Sequence, residues 1–259
     1  IVLFWTAIMR IIKIGIVGCG TIGSKIAEAI VSDFSSRAKL SSIYDVDLDK
    51  AYKLSGALKV KGIVALSLED LIAKSTFVVE AASAAASADI ARKAVRLKRD
   101  CLIMSVGGLL KADDIFSLAE KNGCNIYIPS GAVCGIDGLK AHKLANIKKV
   151  ILTTRKPPQA LKGSSYVLKN NINLDNIKVE TEIFEGSAKD AVLFFPQNIN
   201  IAATLSLAGF GKDKTRVRIV CSPDYTGNTH EVEIESEAGK TFIRCENSPS
   251  PGNPKTSYL

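Results

Sequence analysis

The chain has 259 residues, 47% of them hydrophobic and 23% charged, and a formal net charge of +8. That length can bury one large core or two smaller ones, and the composition excludes disordered and collagen-like chains. Lysines and arginines are dispersed. The densest run, 92–99 (RKAVRLKR), suits the exposed face of a helix, so the basic balance reads as a solvated surface and no nucleic-acid partner is expected.

The apolar opening, 1–10 (IVLFWTAIMR), is too short to span a bilayer and lacks the basic start and cleavage site of a signal peptide. The expectation is that the native chain starts at Met9 and that 1–8 are a non-native upstream extension. No other apolar run reaches membrane-spanning length, so no membrane partner is expected and the cytoplasm is the default location.

Residues 11–17 (IIKIGIV) are a β-branched run that predicts a buried strand. A glycine turn follows, then helical spacing over 21–34 and a second strand over 40–45 (LSSIYD). Residues 67–70 (SLED) have the look of a capping box opening a short helix. Strands are predicted over 76–82, 101–105 and 124–128, with helices over 83–97 and 111–122 between them. This alternation predicts an α/β fold, a Rossmann-type doubly wound parallel sheet, over residues 9–133.

The pattern changes after Pro129. Runs 147–156, 177–184, 214–222 and 229–236 alternate apolar and polar residues, which suits an antiparallel sheet with one covered face. A second, α+β domain is therefore expected over 134–245, and 246–259 open a C-terminal segment.

The six cysteines include no CxxC pair and none at zinc spacing from a histidine, so no metal is expected and reduced, buried thiols are. The segment Gly18-Cys19-Gly20-Thr21-Ile22-Gly23 matches G-x-G-x-x-G between a predicted strand and helix. Such a loop predicts a dinucleotide site. Gly18 turns tightly, Gly20 admits the pyrophosphate, Gly23 lets helix and strand pack, and the helix N-terminus faces the phosphates. Asp45 ends the second strand at the roughly 20-residue spacing of a ribose-binding acid, with Asp47 as the alternative. A carboxylate there favours NAD over NADP.

Three small-residue segments fall beyond strand ends, where ligands bind in such sheets: 80–83 (EAAS, with Ala82 and Ser83), 105–108 (SVGG) and 129–135 (PSGAVCG). Each lets a flat nicotinamide ring approach the backbone. Asn198 and Asn200 precede an apolar helical run, and either could cap it or hold a carboxamide or substrate. His230 lies at the start of an alternating strand, on the face of Val232 and Ile234, while Glu231, Glu233 and Glu235 share the other face. It is predicted to point inward as a general acid/base. His142, on an amphipathic helix, is predicted to be a surface residue.

The segments GIVGCGTIG, VVEAAS, PSGAVCGIDG, ILTTRKPP, FEGSA, FPQNINIAATLSLAG, NTHEVEIES and NPKTSYL resemble the L-aspartate dehydrogenases over nearly all of residues 9–259. The resemblance implies a Rossmann domain joined to an α+β catalytic domain that also serves dimerisation, and so a homodimer. It implies oxidative deamination of L-aspartate with NAD, NADP being possible, to iminoaspartate, which hydrolyses to oxaloacetate and ammonia or feeds NAD biosynthesis. It places the catalytic histidine at His230 and cofactor contacts at Ala132 and Asn200. Candidates for the substrate carboxylates are Ser130, Asn198, Lys255 and Thr256. The chain departs from the family in 1–8, in a longer connection at 170–176 and in ending at Leu259, where the family continues into a helix. Residues 253–256 (NPKT), with Asn as cap and Pro in the first turn, read as the start of that helix. The alternatives are a homoserine-dehydrogenase-like or dihydrodipicolinate-reductase-like enzyme, or a non-catalytic NAD sensor that would keep the glycine loop without using His230.

Overall fold

The computed structural model describes residues 11–131, 133–195, 200–250 and 253–257. The chain divides into two compact units, Ile1–Ile128 and Pro129–Leu259. In the first, β1 (Ile12–Val17), α1 (Thr21–Ser32), β2 (Ala38–Tyr44), α2 (Leu48–Ala57) and α3 (Leu68–Lys74) lead to β3 (Phe77–Glu80). Then come α4 (Ala84–Arg96), β4 (Asp100–Ile103), α5 (Asp114–Asn122) and β5 (Ile126–Tyr127). The strands form one sheet in the order β2-β1-β3-β4-β5, every pair parallel. The doubly wound parallel fold expected from the alternation is therefore present.

β1 sits inside this sheet with Ile16 fully buried, and Ile43, Ala27, Ile30 and Leu54 pack around it. Ser67 caps α3 by accepting the Asp70 N–H at 3.1 Å, while the Asp70 carboxylate pairs with Lys74 at 2.7 Å. The cap forms with Asp70 turned to the lysine one turn on.

The second unit contains α6 (Ile136–Lys143), β6 (Ile147–Lys156), α7 (Pro158–Leu161), α8 (Ser165–Lys169), β7 (Thr181–Ser187) and α9 (Ala188–Phe194). It continues with α10 (Asn200–Leu205), β8 (Arg216–Cys221), β9 (Asn228–Ser236), β10 (Gly239–Asn247) and a two-stranded ribbon of β11 (Pro249–Ser250) and β12 (Asn253–Ser257). The main sheet runs β10-β9-β6-β8-β7. It is mixed: β6 pairs parallel with β8, and the other neighbours are antiparallel. The expectation of an antiparallel sheet is thus corrected at its centre. The helix start expected at 253–256 is corrected too, because these residues lie in β12, paired with β11.

Val150, Leu152, Val217, Ile219, Val232 and Ile234 form the covered face of this sheet. The other face is charged. Glu231 pairs with Arg155 and Arg244, Glu233 with Lys149 at 3.1 Å, and Glu235 with Lys240 at 3.3 Å. Neighbouring strands thus neutralise the acidic stripe of β9. Among the described residues, no helix is long and apolar enough to cross a membrane.

Candidate active site

The glycine loop connects β1 to α1, and each glycine answers a different constraint. Gly18 has φ +98°, and a Cβ there would collide with the Ala81 carbonyl. A Cβ at Gly23 would collide with the Gly18 carbonyl, so α1 packs directly on the turn. Gly20 has nothing within 4 Å of its Cβ position. It is the N-cap of α1, with no side chain bonded to the helix end. Thr21 and Ile22 are exposed in that first turn. Open space, free amides and a positive dipole end together suit a pyrophosphate.

Asp45 closes this region. Its carboxylate accepts the Cys19 N–H at 2.8 Å and the Asp47 N–H at 2.9 Å, which ties the end of β2 to the loop. Asp47 instead stands at the N-cap position of α2, with no side-chain bond to the helix end, and pairs with Lys50 at 3.6 Å. Gly18, Asp45, Ala82, Asp89 and Lys93 line a cleft of about 280 Å³. Cys19 donates its amide, but burial followed by the Asp45 charge pushes its thiol up to about 12, so the sulfur is inert.

Glu80 is fully buried at the end of β3. One carboxylate oxygen accepts the Ala82 and Ser83 amides at 2.8 and 3.1 Å, and the other accepts the Ser105 amide at 2.9 Å. Burial raises its pKa against these three backbone donors. Glu80 therefore fixes two of the three small-residue segments, and it does so from inside the sheet. Ala82 and Ser83 remain exposed above it.

In the second unit, His230 is 6% exposed on the covered face of β9, the direction its alternation predicted. Thr154 stands opposite it on β6, and its Oγ1 lies 3.1 Å from His230 Nδ1. Lys156, two residues further along the same face, is 4% exposed. Burial lowers the Lys156 pKa to about 8. Burial, followed by the Lys156 charge, lowers that of His230 to about 4. The imidazole is neutral at pH 7 and able to accept a proton, beside a cation that gains from an anionic neighbour. Thr154 and Lys156 stand in the ILTTRKPP segment and were not singled out from sequence.

His142 is half-buried rather than a surface residue. Its ring nitrogens bond Ser236 Oγ at 2.7 Å and Thr241 Oγ1 at 2.8 Å, fastening α6 to β9 and β10. Asn200 is the first residue of α10, whose helix continues as a π-helical turn through Phe210. Ser130 is exposed in the turn before α6, with its carbonyl accepting the Val133 amide at 2.8 Å. Lys255 and Thr256 fall on β12. Ala132 and Asn198 lie outside the described residues, as do residues 1–8.

A parallel sheet carrying this glycine loop has the architecture of the dinucleotide-binding unit of an oxidoreductase. Residues 18–129 match the family described as "Homoserine dehydrogenase, NAD binding domain", and residues 137–259 match "Aspartate dehydrogenase, C-terminal". The chain is 45% identical to the L-aspartate dehydrogenase of Methanosarcina barkeri, covering 96% of this chain and 92% of that one. It is 43% identical to that of Methanosarcina mazei, with the same coverage. A solved aspartate dehydrogenase from Thermotoga maritima superposes with a TM-score of 0.69 at 26% identity, over 92% of this chain and 90% of that one. The chain belongs to the L-aspartate dehydrogenase family.

Proposed function

We propose that the chain catalyses NAD-dependent oxidative deamination of L-aspartate, giving iminoaspartate, which hydrolyses to oxaloacetate and ammonia or feeds NAD biosynthesis. The observation that carries this reading is the buried His230–Thr154 pair beside Lys156. The glycine loop, the α1 N-terminus and Asp45 would hold the dinucleotide, which supplies the hydride acceptor when bound.

With Nδ1–H donated to Thr154, His230 keeps a lone pair on Nε2. That atom takes a proton from the substrate ammonium, or from the water that attacks the imine. Lys156 meets a substrate carboxylate, and the carboxylate in turn raises the His230 pKa toward the range where a general base works best. Ser130, Asn198, Lys255 and Thr256 are the further candidates for the carboxylates, Ala132 and Asn200 for the cofactor. The Asp45 carboxylate repels a 2′-phosphate, so NAD is preferred and NADP is the poorer cofactor.

The test is reduced-nicotinamide formation by the purified chain with L-aspartate, L-homoserine and L-glutamate in turn. Turnover with L-aspartate alone is expected, and His230→Ala lowers kcat by about 10²–10⁴-fold. Preference for L-homoserine would replace this reading with the homoserine-dehydrogenase-like one. Dinucleotide binding without turnover on any substrate would make the chain a sensor.

A further inference from the structure

Cys134 and Cys245 lie far apart in sequence, yet they are near enough for Cys245 to raise the Cys134 pKa. Independent contacts explain why. Gly135, at φ +86°, lies so close to β10 that a Cβ would collide with the Ile243 side chain. His142, one helix further on, is bonded to Thr241 of the same strand at 2.8 Å. Thr241, Ile243 and Cys245 alternate along β10 on the covered face, so the chain from residue 134 through α6 is laid along that face. Cys245 is also the register partner of His230, so its side chain stands beside the imidazole. Cys134 is exposed, and Cys245 is half-buried beneath it.

We infer that Cys134 and Cys245 are a reversible oxidation site whose disulfide disables the His230 region. The oxidant is a peroxide. The Cys134 thiolate attacks one peroxide oxygen, the O–O bond breaks, and sulfenic acid and one water form. The Cys245 sulfur then displaces the sulfenic hydroxyl as a second water, leaving the S–S bond. Two thiols and one peroxide thus give one disulfide and two waters. A disulfide brings the sulfurs to about 2.05 Å, well inside the contact distance of two thiols, so Cys134 and Gly135 are drawn onto β10. The neighbouring Cys245 thiol holds the Cys134 pKa above its ordinary value, so oxidation is slow at neutral pH and quickens as pH rises. The buried Cys19, Cys101 and Cys221 do not compete for a bulk oxidant.

Loss of turnover rests on the proposed reaction; the cross-link does not. The reduced full chain is treated with hydrogen peroxide at mildly alkaline pH, digested without reductant and mapped by mass spectrometry. A joined peptide pair containing Cys134 and Cys245 is expected, lighter by two hydrogens. L-Aspartate turnover should fall more than about tenfold, since displacements near 1 Å cost on the order of 10²-fold, and dithiothreitol should restore it. Cys245→Ser and Cys245→Ala keep the reduced activity and resist peroxide. Oxidation at other cysteines with no Cys134–Cys245 pair overturns the inference, and so does equal inactivation of the Cys245 variants. If the reduced chain does not turn over L-aspartate, the proposed reaction fails while the peptide map still decides the disulfide.

Discussion

Burial disfavours the charged forms of both His230 and Lys156, and this has opposite consequences for stability and function. The folded-state pKa of His230 is about 4, below its ordinary 6.5. The unfolded chain therefore binds more protons between these values. The contribution is fully present above pH 6.5 and is lost as pH falls through about 4, a span on the order of 3 kcal/mol. His230→Asn should flatten that part of the curve, as read by urea unfolding at neutral and mildly acidic pH. An unchanged acid slope in the variant would refute the burial argument. Lys156, unlike the neutral imidazole, is still charged at pH 7 and carries the cost of burial there, with a pKa of about 8 against 10.5. Lys156→Met should raise the unfolding free energy at pH 7 by up to roughly 3 kcal/mol while raising KM for L-aspartate at least about tenfold. Lys156→Arg should keep more of the binding. A destabilised Lys156→Met protein with normal KM would remove Lys156 from the site. The direction of His230 was legible because β9 alternates strictly. Lys156 was hidden because β6 is buried on both faces through Ile151–Thr153, which blurs the period of two.

At the scale of elements, Gly20 and Gly23 separate binding from folding. Alanine is the better helix former by about 1 kcal/mol, so Gly23→Ala would stabilise α1 if propensity decided. The collision with the Gly18 carbonyl decides instead, and a net loss of about 1–3 kcal/mol is expected by thermal unfolding. Gly20 has open space and extended backbone at φ −78°, ψ −165°. Gly20→Ala should therefore leave apo stability within about 0.5 kcal/mol and weaken NADH binding more than about tenfold by fluorescence titration. Equal damage to stability by both changes would refute this division. The glycine loop was legible because its spacing follows from sterics alone. The role of Glu80 was not: EAAS shows small residues, but only the fold shows one carboxylate gathering amides from two loops. The parallel pairing of β6 with β8 was also hidden, because alternation reports a covered face and not strand direction. At 253–257, pairing with β11 outweighs the local capping chemistry of Asn-Pro.

Across the whole molecule the chain forms two compact units, and the proposed function gives them separate tasks, which would make their responses to ligand separable. A ligand that binds only the folded form stabilises by RT ln(1 + [L]/Kd), about 2.7 kcal/mol at 100 times Kd. If the Ile1–Ile128 unit supplies the dinucleotide site, NADH should protect its β1 and β3 amides in hydrogen exchange by a comparable free energy. His230→Ala should preserve that protection although turnover collapses, because the histidine belongs to the Pro129–Leu259 unit. Gly20→Ala should abolish the protection and leave the amides of the β6–β9 ladder as slow as in the parent. Such a crossed pattern is what a dehydrogenase with divided labour requires. A sensor would share the binding half but show no turnover to lose. Loss of NADH protection in His230→Ala would show that the histidine acts on dinucleotide binding, and the proton-transfer role would then have to be given to another group.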